Sequence, residues 1–227
     1  MRKSDRLSIS RYYNWLIHEL ILDELEPAIE KYAKGILLDI GCGSKPFHYL
    51  TKNSVSEHVG LEHEDTRNTD KADIWGSAYD IPIEDNFFDT VLCTDVLEHL
   101  EEPDKALNES CRVLKKGAYA IYTLPFFWHI HEEPRDFFRY SKYGLKYLFE
   151  KNGFEVEKIV PLTGFWGNVG QMCCYYFMNT KVFLSRPGVW IKKPFINTIQ
   201  KICYYLDKRS RDEKYCAEYL VVAKKKL

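Results

Sequence analysis

Residues 37–43 read Leu-Leu-Asp-Ile-Gly-Cys-Gly, an apolar strand that runs directly into a glycine turn. Glycine lets the backbone approach a ligand closely, because it has no Cβ to clash with it. In doubly wound α/β sheets, ligands bind outside the carboxyl ends of the strands, where such turns lie. The turn by itself is equally compatible with any tight strand-to-helix connection. The stretch therefore predicts an α/β sheet and marks the 41–43 turn as a candidate ligand site.

Strand-like and helix-like segments alternate along the rest of the chain. The apolar runs predict strands over 36–40, 58–62, 88–93, 119–124, 154–160 and 217–223. Helical spacing and capping residues predict helices over 11–34, 103–116 and 141–151, with stops at Gly35, Gly117 and Gly153. This alternation is typical of a Rossmann-like, doubly wound, mostly parallel sheet with helices on both faces.

The segment before the last predicted strand has a composition of its own. Residues 181–211 contain eight basic residues and one acidic residue, and residues 165–206 contain ten aromatic residues. We expect one domain with an N-terminal helix (11–34), a core (35–160 and 216–227) and a helical insertion at about 161–215. Aromatic and basic side chains together are typical of peripheral membrane contact, here through 165–211, but also of a pocket cover or a homodimer face. We favour a pocket cover or a dimer face over membrane contact.

Composition excludes several classes of protein. Lysine and arginine total 32 against 33 acidic residues, so an overall basic nucleic-acid binder is not expected. The seven cysteines include no Cys-x-x-Cys pair, which argues against a disulfide framework and a cysteine zinc site. The first thirty residues lack the apolar core of a secretory signal, and the longest uncharged run, 159–180, is too polar to span a bilayer. We therefore expect a cytoplasmic protein, with contact at the inner membrane face as the alternative.

Two residues outside the turn favour a nucleoside ligand over a dinucleotide. Pro46 stands where a dinucleotide fingerprint has its third glycine, which argues against a nicotinamide dehydrogenase. Glu62 ends the next predicted strand, 19 residues after Gly43, where its carboxylate can accept hydrogen bonds from both ribose hydroxyls.

Six segments in the same order resemble the class I S-adenosylmethionine-dependent methyltransferases, and among them a bacterial subgroup similar to methyltransferase type 11. The segments are Leu37–Gly43, Val59–Glu62, Ile81–Asp89, Val96–Leu100, Arg112–Gly117 and Asn152–Phe154. Lys116 replaces the proline of the family pattern. The resemblance implies a seven-stranded sheet with one antiparallel strand, over 217–223.

The resemblance also implies S-adenosylmethionine as cofactor, with S-adenosylhomocysteine as product. Asp39, Gly41, Cys42 and Gly43 would border its methionine part, and Glu62 would hold the ribose. Ser77, Ala78 and Tyr79 would flank the adenine, although the family often has aspartate where Ser77 stands. Thr94 and Asp95 would form the floor of the site.

Residues 131–140, after the predicted strand at 119–124, concentrate titratable side chains in the pattern His-x-x-Pro-x-Asp-Phe-x-Arg-Tyr. His131 and His99 are the candidate bases, and Asp136 could orient one of them. Arg139, Tyr140 and His129 are candidate substrate-binding residues, and Arg139 could equally form a structural ion pair with Asp136. The His129-x-His131 pair with a nearby glutamate could also hold a metal, but no further ligand is evident from the sequence, so we predict none.

These residues together predict an enzyme that methylates an oxygen of a small molecule, such as a sugar, a polyol or a lipid-linked glycan intermediate. The pattern over 131–140 resembles a subgroup associated with surface glycan pathways. The alternatives are carbon or nitrogen methylation of a small metabolite, and a cofactor-binding scaffold or regulatory protein without turnover. Nucleic-acid methylation is not expected, because residues 94–97 lack the Asn/Asp-Pro-Pro-aromatic run of base methylases.

Overall fold

The computed structural model of the chain describes residues 12–66, 71–179 and 186–227; within these ranges the side chains of 12, 179 and 186–192 are left out. Two compact units are present. The larger consists of Leu25–Val160 and Glu218–Leu227, and the smaller is drawn from Met1–Glu24 and Pro161–Ala217.

The described residues form a seven-stranded sheet. Its strands are β1 (Ile36–Ile40), β2 (Glu57–Glu62), β3 (Ile74–Trp75), β4 (Phe88–Thr94), β5 (Leu114–Pro125), β6 (Phe154–Pro161) and β7 (Glu218–Lys225), in the order β3-β2-β1-β4-β5-β7-β6. The first five pair in parallel, whereas β7 runs antiparallel to β5. The predicted fold class, including the antiparallel strand near 217–223, is confirmed. The two-residue strand β3 was not predicted, since it is too short to show a pattern.

Six α-helices accompany these strands in the described part of the chain. They are α1 (Trp15–Tyr32), α2 (His48–Thr51), α3 (Pro103–Val113), α4 (Lys142–Lys151), α5 (Phe165–Asn179) and α6 (Arg186–Arg209). Ser141 caps α4 as expected, because its hydroxyl accepts the Gly144 N–H at 3.2 Å. The helical character predicted for 161–215 appears in α5 and α6, and residue 11 of the predicted first helix lies outside the described residues.

The helix predicted over 103–116 is wrong at its C-terminal end. It stops at Val113, and Lys115 and Lys116 belong to β5. Leu114 is fully buried and pairs with Phe88 on β4, and the Lys115 ammonium lies 2.8 Å from the Asp89 carboxylate. Pairing with the neighbouring strand therefore outweighs the local helix signals.

A buried aspartate organises the smaller unit. Asp207, in α6, is fully buried and accepts the Gly164 N–H at 3.0 Å and the Gly167 N–H at 2.7 Å, while Arg211 Nε lies 3.6 Å from its carboxylate. The carboxylate thereby satisfies backbone donors at the start of α5. The side chain of Trp190, one of the ten aromatic residues counted above, lies outside the described part of the chain. Among the described residues, no helix is long and apolar enough to cross a membrane.

Candidate functional site

A cavity of about 570 Å³ opens at the carboxyl edge of the sheet in the larger unit. The ends of β1, β2 and β4 form its floor, and the segment after β5 contributes Glu132, Arg135 and Phe137 to its rim. Its position is the one that strand order and the glycine turn predict, and its size suits a nucleoside-containing small molecule.

The two glycines of the turn have different roles. Both have positive φ, +67° at Gly41 and +48° at Gly43, which only glycine adopts without strain. A Cβ on Gly41 would overlap the Val96 side chain, so this glycine is required for packing. A Cβ on Gly43 would meet no atom within 4 Å, so this glycine leaves open space on the cavity side. The turn thus forms a cradle that a ligand, rather than protein, can fill.

Glu62 connects the end of β2 to this turn. Its Oε2 accepts the Gly43 N–H at 2.8 Å, and its Oε1 accepts the His63 N–H and the Thr66 hydroxyl, both at 3.0 Å. These bonds fix the carboxylate at the cavity wall, although it is only 8% exposed. An ionised carboxylate offers about four acceptor positions, so capacity for a ligand donor remains.

Eight of the ten predicted cofactor-binding residues line the cavity. They are Gly41, Gly43, Glu62, Ser77, Ala78, Tyr79, Thr94 and Asp95. Tyr79 is fixed at both ends, because its N–H donates to Ser77 Oγ at 3.1 Å and its hydroxyl accepts the Glu102 N–H at 3.2 Å.

Asp39 and Cys42 do not line the cavity. The Asp39 carboxylate is buried and lies 2.9 Å from His58 Nε2, and His58 Nδ1 lies 2.7 Å from the Thr51 hydroxyl. Burial raises the pKa of Asp39 despite the hydrogen bond from His58. Burial likewise raises the pKa of Cys42 to about 12, so its thiol is not a nucleophile at neutral pH. Both residues are buried and belong to the protein interior next to the turn.

Asp95 forms the floor with its backbone in the left-handed region, at φ +54°. This conformation costs a non-glycine residue roughly 1–2 kcal/mol. Two contacts with β5 hold it, because the Asp95 N–H donates to the Thr123 carbonyl at 3.1 Å and Thr123 Oγ1 donates to its carboxylate at 2.9 Å. Asp95 lines the cavity in this conformation, and the surrounding protein raises the pKa of its carboxyl group by desolvation.

The structure brings the two candidate bases together. The rings of His99 and His131 lie 4.8 Å apart in an edge-to-face arrangement, and His99 lines the cavity. Asp136 lies next to His131, with its Oδ2 accepting the His131 N–H at 2.9 Å and lying 3.4 Å from the ring Nδ1. Asp136 thus lies within reach of the His131 ring, and its orienting role stays a prediction.

Arg139 has a structural position. Its guanidinium forms a bidentate pair with Asp136 at 2.6 and 2.7 Å, and its remaining donors reach the backbone carbonyls of Trp128, Phe138 and His129. The guanidinium holds the pKa of Asp136 far below its usual range. With its donors used in this way, Arg139 fixes the loop, which was the alternative considered from the sequence.

The other two candidate substrate residues also lie outside the cavity lining. Tyr140 is buried, and its hydroxyl donates to the Leu97 carbonyl at 3.0 Å. His129 is exposed, and its ring lies 6.0 Å from that of His131.

Two buried glutamates at this edge were not predicted as site residues. Glu98 is 1% exposed and Glu218, on β7, is 6% exposed; among the described residues, Oε2 of each has no hydrogen-bond partner. Burial, reinforced by Asp95, raises the pKa of Glu98 to about 9 and that of Glu218 well above its ordinary value. Glu98 lies next to His99 in the family-like segment Val96–Leu100, and this position could have marked it as a site residue. Nothing in the sequence around Glu218 marked it in the same way.

Comparison with known proteins shows a family match and a shared fold. A family model described as "Methyltransferase domain" matches residues 38–122. An uncharacterised protein of Methanocaldococcus jannaschii is 33% identical over 145 residues, a match that spans 61% of this chain and 64% of the relative's length.

Two solved structures show the same fold. An S-adenosylmethionine-dependent methyltransferase from Thermotoga maritima is 21% identical with a TM-score of 0.60, over 94% of this chain and 93% of that one. Phosphoethanolamine N-methyltransferase 2 of Haemonchus contortus, in complex with S-adenosyl-L-methionine, is 17% identical with a TM-score of 0.60, over 95% of this chain and 56% of that one.

Proposed function

Since this chain carries a methyltransferase domain over residues 38–122 and has the class I methyltransferase fold, we propose that it binds S-adenosylmethionine in the described cavity and methylates an oxygen of a small polar acceptor. The observation that carries the proposal is the pairing of the open cradle at Gly43 with the Glu62 carboxylate fixed 2.8 Å from its N–H. This pairing puts a hydroxyl-binding carboxylate and a close backbone approach at one edge, as a nucleoside ligand requires.

The lining residues support this ligand. We assign Glu62 to the ribose hydroxyls, the 77–79 segment to the base, and Gly41 and Gly43 to the amino-acid part. The bound cofactor supplies a methyl group on a sulfonium, whose departure leaves a neutral thioether and needs no general acid. The protein therefore contributes chiefly alignment of the acceptor, which is a large part of the rate for such a reaction.

Polar side chains surround the acceptor side. Asp95, His99, Glu132 and Arg135 all line the cavity there. An acceptor with several hydroxyls, such as a sugar, a polyol or a glycan intermediate, can pair with these groups. His99 is the cavity-lining imidazole and can take the proton of an acceptor hydroxyl as its oxygen is methylated.

A lipid-linked acceptor is the finer form of this proposal. It draws on the exposed aromatic side chains of α5 and α6, among them Phe165, Trp166 and Phe195, and on the lysines of α6. Co-sedimentation with anionic vesicles at low salt tests it, and protein that stays in the supernatant argues for a free acceptor.

Thermal unfolding with S-adenosylhomocysteine, with NADH as the control, tests the cofactor assignment. Ligand at 100 times its dissociation constant adds about 2.7 kcal/mol to the free energy of unfolding. We expect stabilisation by S-adenosylhomocysteine alone; stabilisation by NADH alone, or by neither compound, contradicts the proposal. Methyl transfer from labelled cofactor to a panel of sugars and polyols then separates an enzyme from a scaffold, because a scaffold binds and forms no methylated product.

A further inference from the structure

Beside the cavity, three side chains offer ligand atoms to a common point. Glu98, His99 and His131 each present one such atom, and these atoms lie within 4.8 Å of one another. A tetrahedral ion with bonds of about 2.1 Å separates its ligands by roughly 3.4 Å, so modest side-chain rotations bring the three atoms to bonding distance.

Both histidines are held in the tautomer that a metal ligand needs. His99 Nδ1 contacts the Arg135 carbonyl, so it carries the proton and leaves the lone pair on Nε2. Nε2 in turn lies 3.8 Å from the carboxylates of Glu98 and Glu132. His131 Nδ1 lies 3.3 Å from the His129 carbonyl and 3.4 Å from Asp136. A carbonyl or carboxylate behind the imidazole is the usual second partner of a metal-bound histidine.

Glu98 supplies an independent observation. Its side chain is 1% exposed, yet its Oε2 has no hydrogen-bond partner among the described residues. An unpaired buried carboxylate oxygen is costly, and a cation is one of the few groups that satisfies it. Asp95 and Glu218 interact electrostatically with Glu98, so three carboxyl groups lie close together at this place.

Although the sequence alone predicted no metal site, we propose that Glu98, His99 and His131 bind one divalent transition-metal ion at the acceptor side of the cavity. Two imidazoles and one carboxylate suit Zn²⁺, Co²⁺ or Mn²⁺ better than Ca²⁺ or Mg²⁺, which prefer oxygen ligands. Three protein ligands leave coordination positions open. With the ion bound, His99 is a ligand and no longer a base; an acceptor hydroxyl bound to the ion would have its pKa lowered and could lose its proton to water. That last role rests on the proposed function, whereas the metal site itself does not.

Calorimetric titration of the full chain, freed of metal with a chelator, tests the site with Zn²⁺ and Co²⁺. His131→Ala removes one ligand from a half-exposed loop position, and His129→Ala removes a neighbouring imidazole that is not in the cluster. We expect one equivalent bound by the parent and by His129→Ala, and at least a tenfold weaker affinity in His131→Ala and in Glu98→Gln. Should Glu98→Gln fail to fold, His131→Ala decides the outcome alone.

The absorption spectrum of the Co²⁺-loaded protein identifies the ligands. Nitrogen and oxygen ligation without thiolate charge transfer supports the proposal, whereas a thiolate band places the ion on cysteine and overturns it. Equal affinity of the parent and His131→Ala also overturns it. The titration is run without S-adenosylhomocysteine, and the thermal test above is run without metal, so failure of one leaves the other interpretable.

Discussion

Replacing Glu62 by glutamine tests whether the Glu62 carboxylate binds the nucleoside part of the ligand. The carboxylate accepts hydrogen bonds from Gly43, His63 and Thr66, and it is the residue placed to accept from a ribose. Glutamine keeps the side-chain volume but has one acceptor oxygen instead of two. Its amide NH2 group would face one of the N–H or O–H groups that now donate to the carboxylate. A charge-assisted hydrogen bond contributes about 1.5–3 kcal/mol, so the Kd for S-adenosylhomocysteine should rise roughly 10- to 150-fold.

Isothermal titration with S-adenosylhomocysteine measures this change, and Glu64→Gln is the matched control. Glu64 is exposed and lies two positions further along, so the control removes the same charge without touching the turn. Melting curves of both variants establish that they are folded. A Kd for Glu62→Gln within threefold of the parent, or an equal loss in Glu64→Gln, would refute the assignment of Glu62 to the ligand.

Three further predictions follow from the described contacts. Gly43→Ala should weaken S-adenosylhomocysteine binding and lower the free energy of unfolding by about 1–2 kcal/mol. Gly41→Ala should lose clearly more stability, because the added Cβ overlaps the Val96 side chain. Urea unfolding measures the stability of both variants, and ligand titration measures their binding. Burial alone would raise the pKa of Asp89, but hydrogen bonds from Lys115 and Ile36 outweigh burial and lower that pKa. The ionised Asp89 carboxylate therefore stabilises the fold at pH values above the pKa of the unfolded state, and this stabilisation is lost as the pH falls through the folded-state pKa. Asp89→Asn should therefore be less stable than the parent by about 1 kcal/mol at pH 7, with the difference shrinking below about pH 4, as urea unfolding across pH can show. Asp207→Ala should cost about 3–5 kcal/mol, because it leaves the Gly164 and Gly167 N–H groups unpaired inside the smaller unit; a loss below 1 kcal/mol by chemical unfolding would contradict the capping role.

Local patterns were sufficient for most of the sheet. Short apolar runs located β1, β2 and β4, and the Ser141 cap located the start of α4, because those signals depend on neighbours in sequence. The end of α3 was misplaced because Leu114 is drawn into β5 by its partner Phe88 across the sheet, and no local signal encodes that pairing.

The sequence by itself determined the strand-to-turn unit at 37–43 and the acidic residue at 62, since both are set by residue type and spacing along one chain segment. Only the tertiary structure decided which of these residues line the cavity. Gly43 and Glu62 line it, whereas Asp39 and Cys42 are buried and do not. It also decided the histidine cluster: the Glu98 carbonyl accepts the Phe137 N–H at 2.9 Å, which brings the 131–140 loop back over the end of β4. His99 and His131 are 32 positions apart in the chain, and their 4.8 Å ring contact exists because that loop folds back on hydrogen bonds that no local pattern specifies.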